Sequence, residues 1–330
     1  MTRSASLPDP IEFRAPCLEA DACETVVVLP TFRRPAQVVA TLRSLAAQLH
    51  RHRAAVIVMD NDDDAREGLE AVRPLLLSDE VPGMALVARE RGNCSAYNAG
   101  FRAALAEFPR MRRCLVIDDD ELAGADWIER MTAEAERSGV DIVGGPQMPV
   151  FERGGNGRFE RHPVFRQHYD RSGPVPILYS SGNVLISRTV LEAAGDPVLD
   201  TAFNFIGGGD SDFYSRMRER GFRFGWCEEA PVFETVPERR TRFDWVNARS
   251  LRNGAISSLI EHRRRPDAAG RARTLLKSAA LLASAPARGL RLGWRLRSPV
   301  AALYPLQVAL GRFQAEFGRV GEQYRQPERN

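Results

Sequence analysis

Four consecutive acids, Asp118, Asp119, Asp120 and Glu121, close a short apolar run at residues 114–117. Carboxylates set this closely repel one another and cost stability unless a positive charge offsets them. A divalent cation is one solution, since Mg2+ or Mn2+ takes one or two carboxylates and completes its shell with water and phosphate oxygens. The other is a solvated acidic turn that also caps the next helix. A second acidic run, Asp60 to Asp64, follows the apolar residues 54–59 in the same way. Its carboxylates can accept hydrogen bonds from a base N–H or ribose hydroxyls, or simply form a capping loop. A third group is Gly207, Gly208, Gly209, Asp210, Ser211 and Asp212. Three glycines allow close backbone approach, and Asp210 at a helix entrance is either an N-cap or a general base aimed at a bound hydroxyl.

These groups need elements to position them. Residues 25–30, 54–59, 84–88 and 114–117 are short apolar runs ended by proline or polar residues, and each reads as a buried strand. Between them, 35–49 carries Val38, Leu42, Leu45 and Leu49 at helical spacing, with Pro35 in the first turn where its missing N–H costs nothing. Residues 96–108 and 127–137 also read as helices. The alternation predicts an α/β fold: a Rossmann-type, mostly parallel sheet with helices on both faces. Ligands in such sheets bind at the carboxyl ends of the strands, where the acidic runs lie. Beyond residue 141 the pattern loosens into short strands at 142–145, 177–180 and 184–187 and a helix at 210–221. A Gly/Arg-rich loop at 153–161 leads to His162 and His168 and has the composition of a lid.

The chain has 330 residues, 44% apolar and 27% charged, which excludes a largely disordered or fibrous protein. A single lysine, Lys277, leaves little room for P-loop or Schiff-base chemistry. Five cysteines without a CxxC pair suit reduced thiols in the cytoplasm. Net charge is +3, yet residues 263–330 hold 14 Lys and Arg against 4 Asp and Glu. That segment reads as a basic amphipathic helical extension suited to an anionic membrane surface, or to packing on the body with a solvated basic face. Its longest charge-free run, 298–311, is too short to span a bilayer. Residues 1–23 lack the apolar stretch of a signal peptide and read as a loose leader. The expected place is the cytoplasm, peripheral on the cytoplasmic face of the inner membrane. No nucleic-acid-binding module is recognisable.

Three acidic sites on one parallel sheet suit chemistry on a nucleotide-diphosphate sugar. A cation neutralises the leaving pyrophosphate while a carboxylate deprotonates an attacking hydroxyl from the opposite side, which inverts the anomeric carbon. Residues 26–35 (VVVLPTFRRP), 58–63 (VMDNDD), 91–100 (RGNCSAYNAG), 116–121 (VIDDDE) and 208–213 (GGDSDF) occur in the order seen in family 2 glycosyltransferases of the GT-A fold. The likeness covers about 24–262, which the resemblance makes a GT-A-like domain. Residues 232–254 resemble the succinoglycan-type exopolysaccharide glucosyltransferases of bacteria. That resemblance implies transfer of one hexose, glucose from UDP-glucose, to a lipid-linked glycan.

By the same resemblance, Asp210 is the catalytic base. Thr31, Arg33, Asp60, Asp62, Asn98, Asp118 and Asp119 bind the nucleotide-sugar, and Asp120 with Asp118 holds the metal. Ser181, Gly182, Asn183, Asp212, Trp245, Arg249 and Arg252 face the acceptor or a diphosphate. The chain departs from the family pattern at Gly209, where a Glu usually precedes the base. It departs again at Phe233-Glu234, where relatives often place a metal-binding His, and at Tyr97, where an Arg is usual. The QxxRW signature of processive synthases is missing around Trp245, as expected for addition of a single sugar. Two rival readings are a degenerate glycan-binding or scaffold module and a phosphatase of the haloacid-dehalogenase type. The latter needs a catalytic lysine that Lys277 is poorly placed to supply.

Overall fold

The computed structural model describes residues 11–152, 157, 159–318 and 320–322. The start of the expected leader, residues 153–156 and 158 of the expected lid, and residues 319 and 323–330 of the extension lie outside the described residues. The chain divides into two compact units. The first comprises Met1–Met148, Tyr169–Asn204 and Gly209–Glu234, and the second Pro149–His168, Phe205–Gly208 and Thr235–Asn330.

In chain order the first half forms β1 (Ile11–Arg14), β2 (Thr25–Thr31), α1 (Pro35–Arg51), β3 (Ala55–Asp60), α2 (Glu67–Leu77), β4 (Gly83–Val87), α3 (Asn93–Glu107) and β5 (Arg113–Ile117). There follow β6 (Glu121–Ala123), α4 (Trp127–Ser138), β7 (Ile142–Gly144), β8 (Gln147–Phe151), β9 (Gly173–Val175), β10 (Asn183–Ser187), α5 (Arg188–Ala194), α6 (Gly209–Glu219), β11 (Phe224–Trp226) and β12 (Val232–Val236). Nine strands make one sheet in the order β1-β4-β3-β2-β5-β10-β7-β11-β9. Its heart, β4-β3-β2-β5, is parallel; β1, β9 and β10 run antiparallel to their neighbours. A three-stranded sheet has the order β6-β12-β8.

Strand periodicity explains the layers. Val27, Leu29, Val56, Val58, Leu115 and Ile117 point to one face and share a core with Val38, Leu42, Leu45 and Leu49 of α1 and with buried residues of α2 and α4. The alternate face receives α3, whose Gly100 lies against Met59. Each such fully buried side chain contributes about 1.5–3 kcal/mol relative to exposure. Polar residues also serve this core. Gln48 of α1 donates to Gly124 O at 2.9 Å and accepts from Ile128 N–H at 3.1 Å, tying α1 to the start of α4.

Several expectations are corrected. The leader is not loose throughout: Ile11–Arg14 pairs with β4, which satisfies backbone groups that β4 would otherwise present at an open edge. Residues 177–180 form no strand, and Gly173–Val175 pairs with β11 instead. Helix α2 is hidden in the sequence by Pro74, which it accommodates while burying Leu69, Val72, Leu75 and Leu76.

The second unit is built on α7 (Phe243–Arg264), α8 (Ala268–Leu296), α9 (Pro299–Ala302) and α10 (Tyr304–Glu316). Helix α7 was expected to belong with the α/β domain, but it packs chiefly on α10. Two glycines permit that approach. A Cβ on Gly254 would stand 2.0 Å from Val308 O, and one on Gly311 would stand 1.9 Å from Leu251 O. Arg312 is 1% exposed and donates to Ser278 Oγ at 2.9 Å, Ser257 Oγ at 2.7 Å and Glu261 Oε2 at 2.7 Å, so it binds α7, α8 and α10 together. Not every basic residue of the extension is therefore solvated. Among the described residues no helix is long and apolar enough to cross a membrane.

His162, expected beside a lid, is fully buried with its ring edge-on to Tyr304 at 5.4 Å. Burial pushes its imidazole pKa down to about 4, below the ~6.5 of a free histidine. Between those values the unfolded chain binds a proton that the folded chain does not. The contribution is thus intact above about pH 6.5 and lost as pH falls toward about 4, on the order of 2–3 kcal/mol. Urea midpoints of the wild type should drop on going from about pH 7 to about pH 4.5, and His162→Phe should flatten that slope. An unchanged slope would remove His162 as its cause.

Candidate active site

The ends of β3, β2 and β5 are neighbours, so the loops after them converge. Thr31, the last residue of β2, donates its hydroxyl to Asp119 Oδ2 at 2.8 Å. The next turn carries two consecutive arginines. Arg33 has φ 55°, a left-handed backbone uncommon outside glycine, and the two side chains serve different loops. Arg33 Nε donates to Asp62 Oδ2 at 2.8 Å, beyond β3. Arg34 Nη1 donates to Asp119 Oδ1 at 2.9 Å and Asp120 Oδ2 at 3.1 Å, beyond β5. From below, the Thr41 hydroxyl of α1 reaches Glu121 O at 2.7 Å and Asp119 O at 3.0 Å and holds the acidic turn in shape.

The four acids occupy distinct places. Tyr97 donates its hydroxyl to Asp118 and is also hydrogen-bonded to Ser181. Glu121 is fully buried, accepting from Asp118 N–H at 3.0 Å and from the Gln147 amide. Glu234 stands opposite Glu121 in the β6–β12 pairing. Burial, then the charge of Asp120, pushes the Asp118 carboxyl up to about 7. Burial likewise raises Asp119 to about 6 against the pull of Arg34, and Glu121 is raised by burial and by Asp118.

Such carboxylates stay ionised readily only when a cation compensates them, which fits a hard divalent ion. Among the described residues no group of three or more His, Cys, Asp or Glu side chains assembles as a metal site. Asp118 feels the charge of Asp120, which also pairs with Arg34 at 3.1 Å.

Asp210 opens α6, where its carboxylate accepts from Ser211 N–H at 2.8 Å. The preceding position is tight, since a Cβ on Gly209 would stand 2.5 Å from Cys94 Sγ of α3. Asp210 and Asp118 belong to one neighbourhood: the buried Tyr214 hydroxyl is raised well above its usual pKa by burial, then by Asp210 and by Asp118.

Other expected site residues are engaged in structure. Asp60 is fully buried and accepts from Leu69 N–H at 2.8 Å and Asp62 N–H at 3.0 Å, which fixes the loop into α2. The Asn98 amide makes both of its bonds to the backbone of Leu199 at 2.8 Å. Asn183 accepts from Trp127 Nε1 at 2.7 Å and donates to Ala230 O at 2.8 Å, and Asp212 pairs with Arg216 at 2.8 Å. Gly182 leaves room for Gln147 and Glu121, 2.5 and 2.6 Å from where a Cβ would be. Trp245, Arg249 and Arg252 lie on α7 in the second unit, where Trp245 stacks on Phe165 at 5.9 Å.

Sequence reasoning missed Arg34, Thr41, Tyr97 as a donor, Gln147 and Tyr214. Thr41 and Gln48 did carry a signal, being polar residues seven apart on the otherwise apolar face of α1.

A sheet of this order with acidic loops at its carboxyl edge is the GT-A glycosyltransferase fold. The solved mannosyltransferase PcManGT from Pyrobaculum calidifontis, in complex with GDP-Man and Mn2+, superposes with a TM-score of 0.59 at 17% identity, covering 93% of this chain and 91% of that one. GalNAc-T7 with UDP, GalNAc and Mn2+ gives 0.50 at 12% identity over 72% of this chain and 51% of its own. The chain belongs to glycosyl transferase family 2, whose profile matches residues 26–195. It is 31% identical over 236 residues to the succinoglycan biosynthesis protein ExoM of Rhizobium meliloti (strain 1021), covering 68% of this chain and 71% of that protein.

Proposed function

We propose that this glycosyltransferase moves one hexose, glucose from UDP-glucose, to a lipid-linked oligosaccharide with inversion, working on the cytoplasmic face of the membrane. The observation that carries the reading is the pairing of a buried, Arg34-compensated acidic turn with Asp210 in the electrostatic neighbourhood of Tyr214. The succinoglycan relative supports the polysaccharide context, and the solved neighbours hold nucleotides and Mn2+.

In this reading Asp210 takes the proton of the acceptor hydroxyl. The hydroxyl oxygen then bonds to the anomeric carbon as the bond to the β-phosphate breaks, and UDP leaves. Asp118 and Asp120 would hold Mg2+ or Mn2+, which when bound supplies the positive charge that stabilises the leaving diphosphate. Thr31 and Thr41 hold the acidic turn, and Arg33 orients Asp62 toward the nucleotide side. Tyr97 orients Asp118 through its hydroxyl, and Ser181 and Gly182 form the acceptor side. Glu234, one strand away from Glu121, adds negative charge where relatives often place His. Trp245, Arg249 and Arg252 are assigned to the acceptor and its diphosphate, a role that guanidinium geometry suits.

Calorimetry of UDP binding with and without Mn2+ tests the site. Wild type should bind only with Mn2+, and Asp120→Ala should weaken that binding by about tenfold or more. Absence of UDP binding under both conditions would redirect the reading to another nucleotide or to a non-catalytic module.

A further inference from the structure

We infer that a basic cavity in the second unit binds the phosphate headgroup of an anionic lipid. The inference rests on the membrane-face reading above and supplies it with a specific contact. The cavity, of about 490 Å³, lies wholly within that unit and is lined by Arg166, Arg288, Arg291 and Arg295, together with Tyr304 and Leu292. Among the described residues no carboxylate lines it. Four guanidinium groups around one concavity repel one another, and an anion relieves that repulsion. Arginine also presents a planar fork that matches phosphate oxygens two at a time.

Three features favour a lipid over a free ion. Arg288, Arg291 and Arg295 follow one face of α8 at spacings of three and four residues. On the adjacent face, one turn apart, Leu290 is 76% exposed and Trp294 85% exposed. An exposed Trp and Leu beside a row of arginines is the arrangement of a helix lying in a membrane interface, with its apolar stripe among acyl chains and its cations among headgroups. The cavity is also larger than one phosphate needs, so it can admit the groups attached to it. Its wall is held in place from behind, because Tyr304 packs on the buried His162 ring.

The test is co-sedimentation of the full chain with vesicles of phosphatidylcholine alone or mixed with phosphatidylglycerol. Wild type should bind the mixed vesicles and not the neutral ones. Arg291→Lys with Arg295→Lys keeps every charge but loses the bidentate fork, and should weaken binding about fivefold or more. Trp294→Ser should weaken it as well, and UDP binding by each variant reports that the chain is folded. Equal vesicle binding by the lysine variant and wild type would overturn the pocket in favour of diffuse attraction. Release of bound protein by inorganic phosphate at matched ionic strength would overturn the lipid as its ligand. Wild type that ignores anionic vesicles would reject the membrane-face reading itself.

Discussion

Asp210→Asn should cut turnover by about 10²–10⁴-fold while leaving UDP affinity nearly unchanged. The substitution is isosteric and still accepts from Ser211 N–H, so the entrance to α6 keeps its geometry. What it loses is the ability to take a proton. A base that acts only on the acceptor hydroxyl stabilises the transition state and not the donor complex, so kcat should fall with little change in the donor KM. Asp212→Asn is the natural contrast. Asp212 is buried and paired with Arg216 two residues further into the same helix, so its loss should lower stability first. Comparable losses of UDP affinity and turnover in Asp210→Asn would reject the assignment.

The second large effect is structural. Gly254→Ala or Gly311→Ala should destabilise the chain by about 3 kcal/mol, read as a lower urea midpoint. The sign is informative because alanine in a helix interior ordinarily gains up to ~1 kcal/mol over glycine. Here each added methyl meets a backbone carbonyl of the facing helix at about 2 Å, and a carbonyl cannot rotate aside as a side chain can. Helices α7 and α10 would have to separate, loosening the Arg312 network that spans them. A neutral or stabilising result at both positions would mean that the two helices do not cross this closely.

Much of the first unit was legible because its strands are uniformly apolar and its acids stand directly after them. Val26–Leu29 and Val56–Met59 have no other stable place than a sheet covered on both sides. What escaped were contacts between residues far apart in the chain. Arg34 reaches Asp119 and Asp120 some 85 positions away, and Tyr97 reaches Asp118 across the sheet. Nothing local in either residue declares the partner. Asp60 and Asn98 were expected at the nucleotide-sugar and Asn183 at the acceptor, and their partners in the structure are backbone groups and Trp127. The grouping of α7 with the extension escaped for a related reason. Its amphipathic pattern is weak, and the two glycines that let it meet α10 look unremarkable without each other.

The division of the chain carries a practical consequence for how it can be made and altered. Neither unit is one continuous stretch, since the second takes Pro149–His168 and Phe205–Gly208 from the middle of the first. During synthesis the first unit lacks α6, β11 and the start of β12 until residue 234 has left the ribosome, and the face of α7 that meets α10 waits for that helix. A cut after Arg265 strips α8 and α10 from α7 and bares the helix face of Leu251, Gly254 and Ser258 that meets α10. Shortened forms would therefore report on an uncovered helix face and aggregation as much as on lost membrane contact. Chimeras that trade specificity between relatives must transplant several separate segments at once.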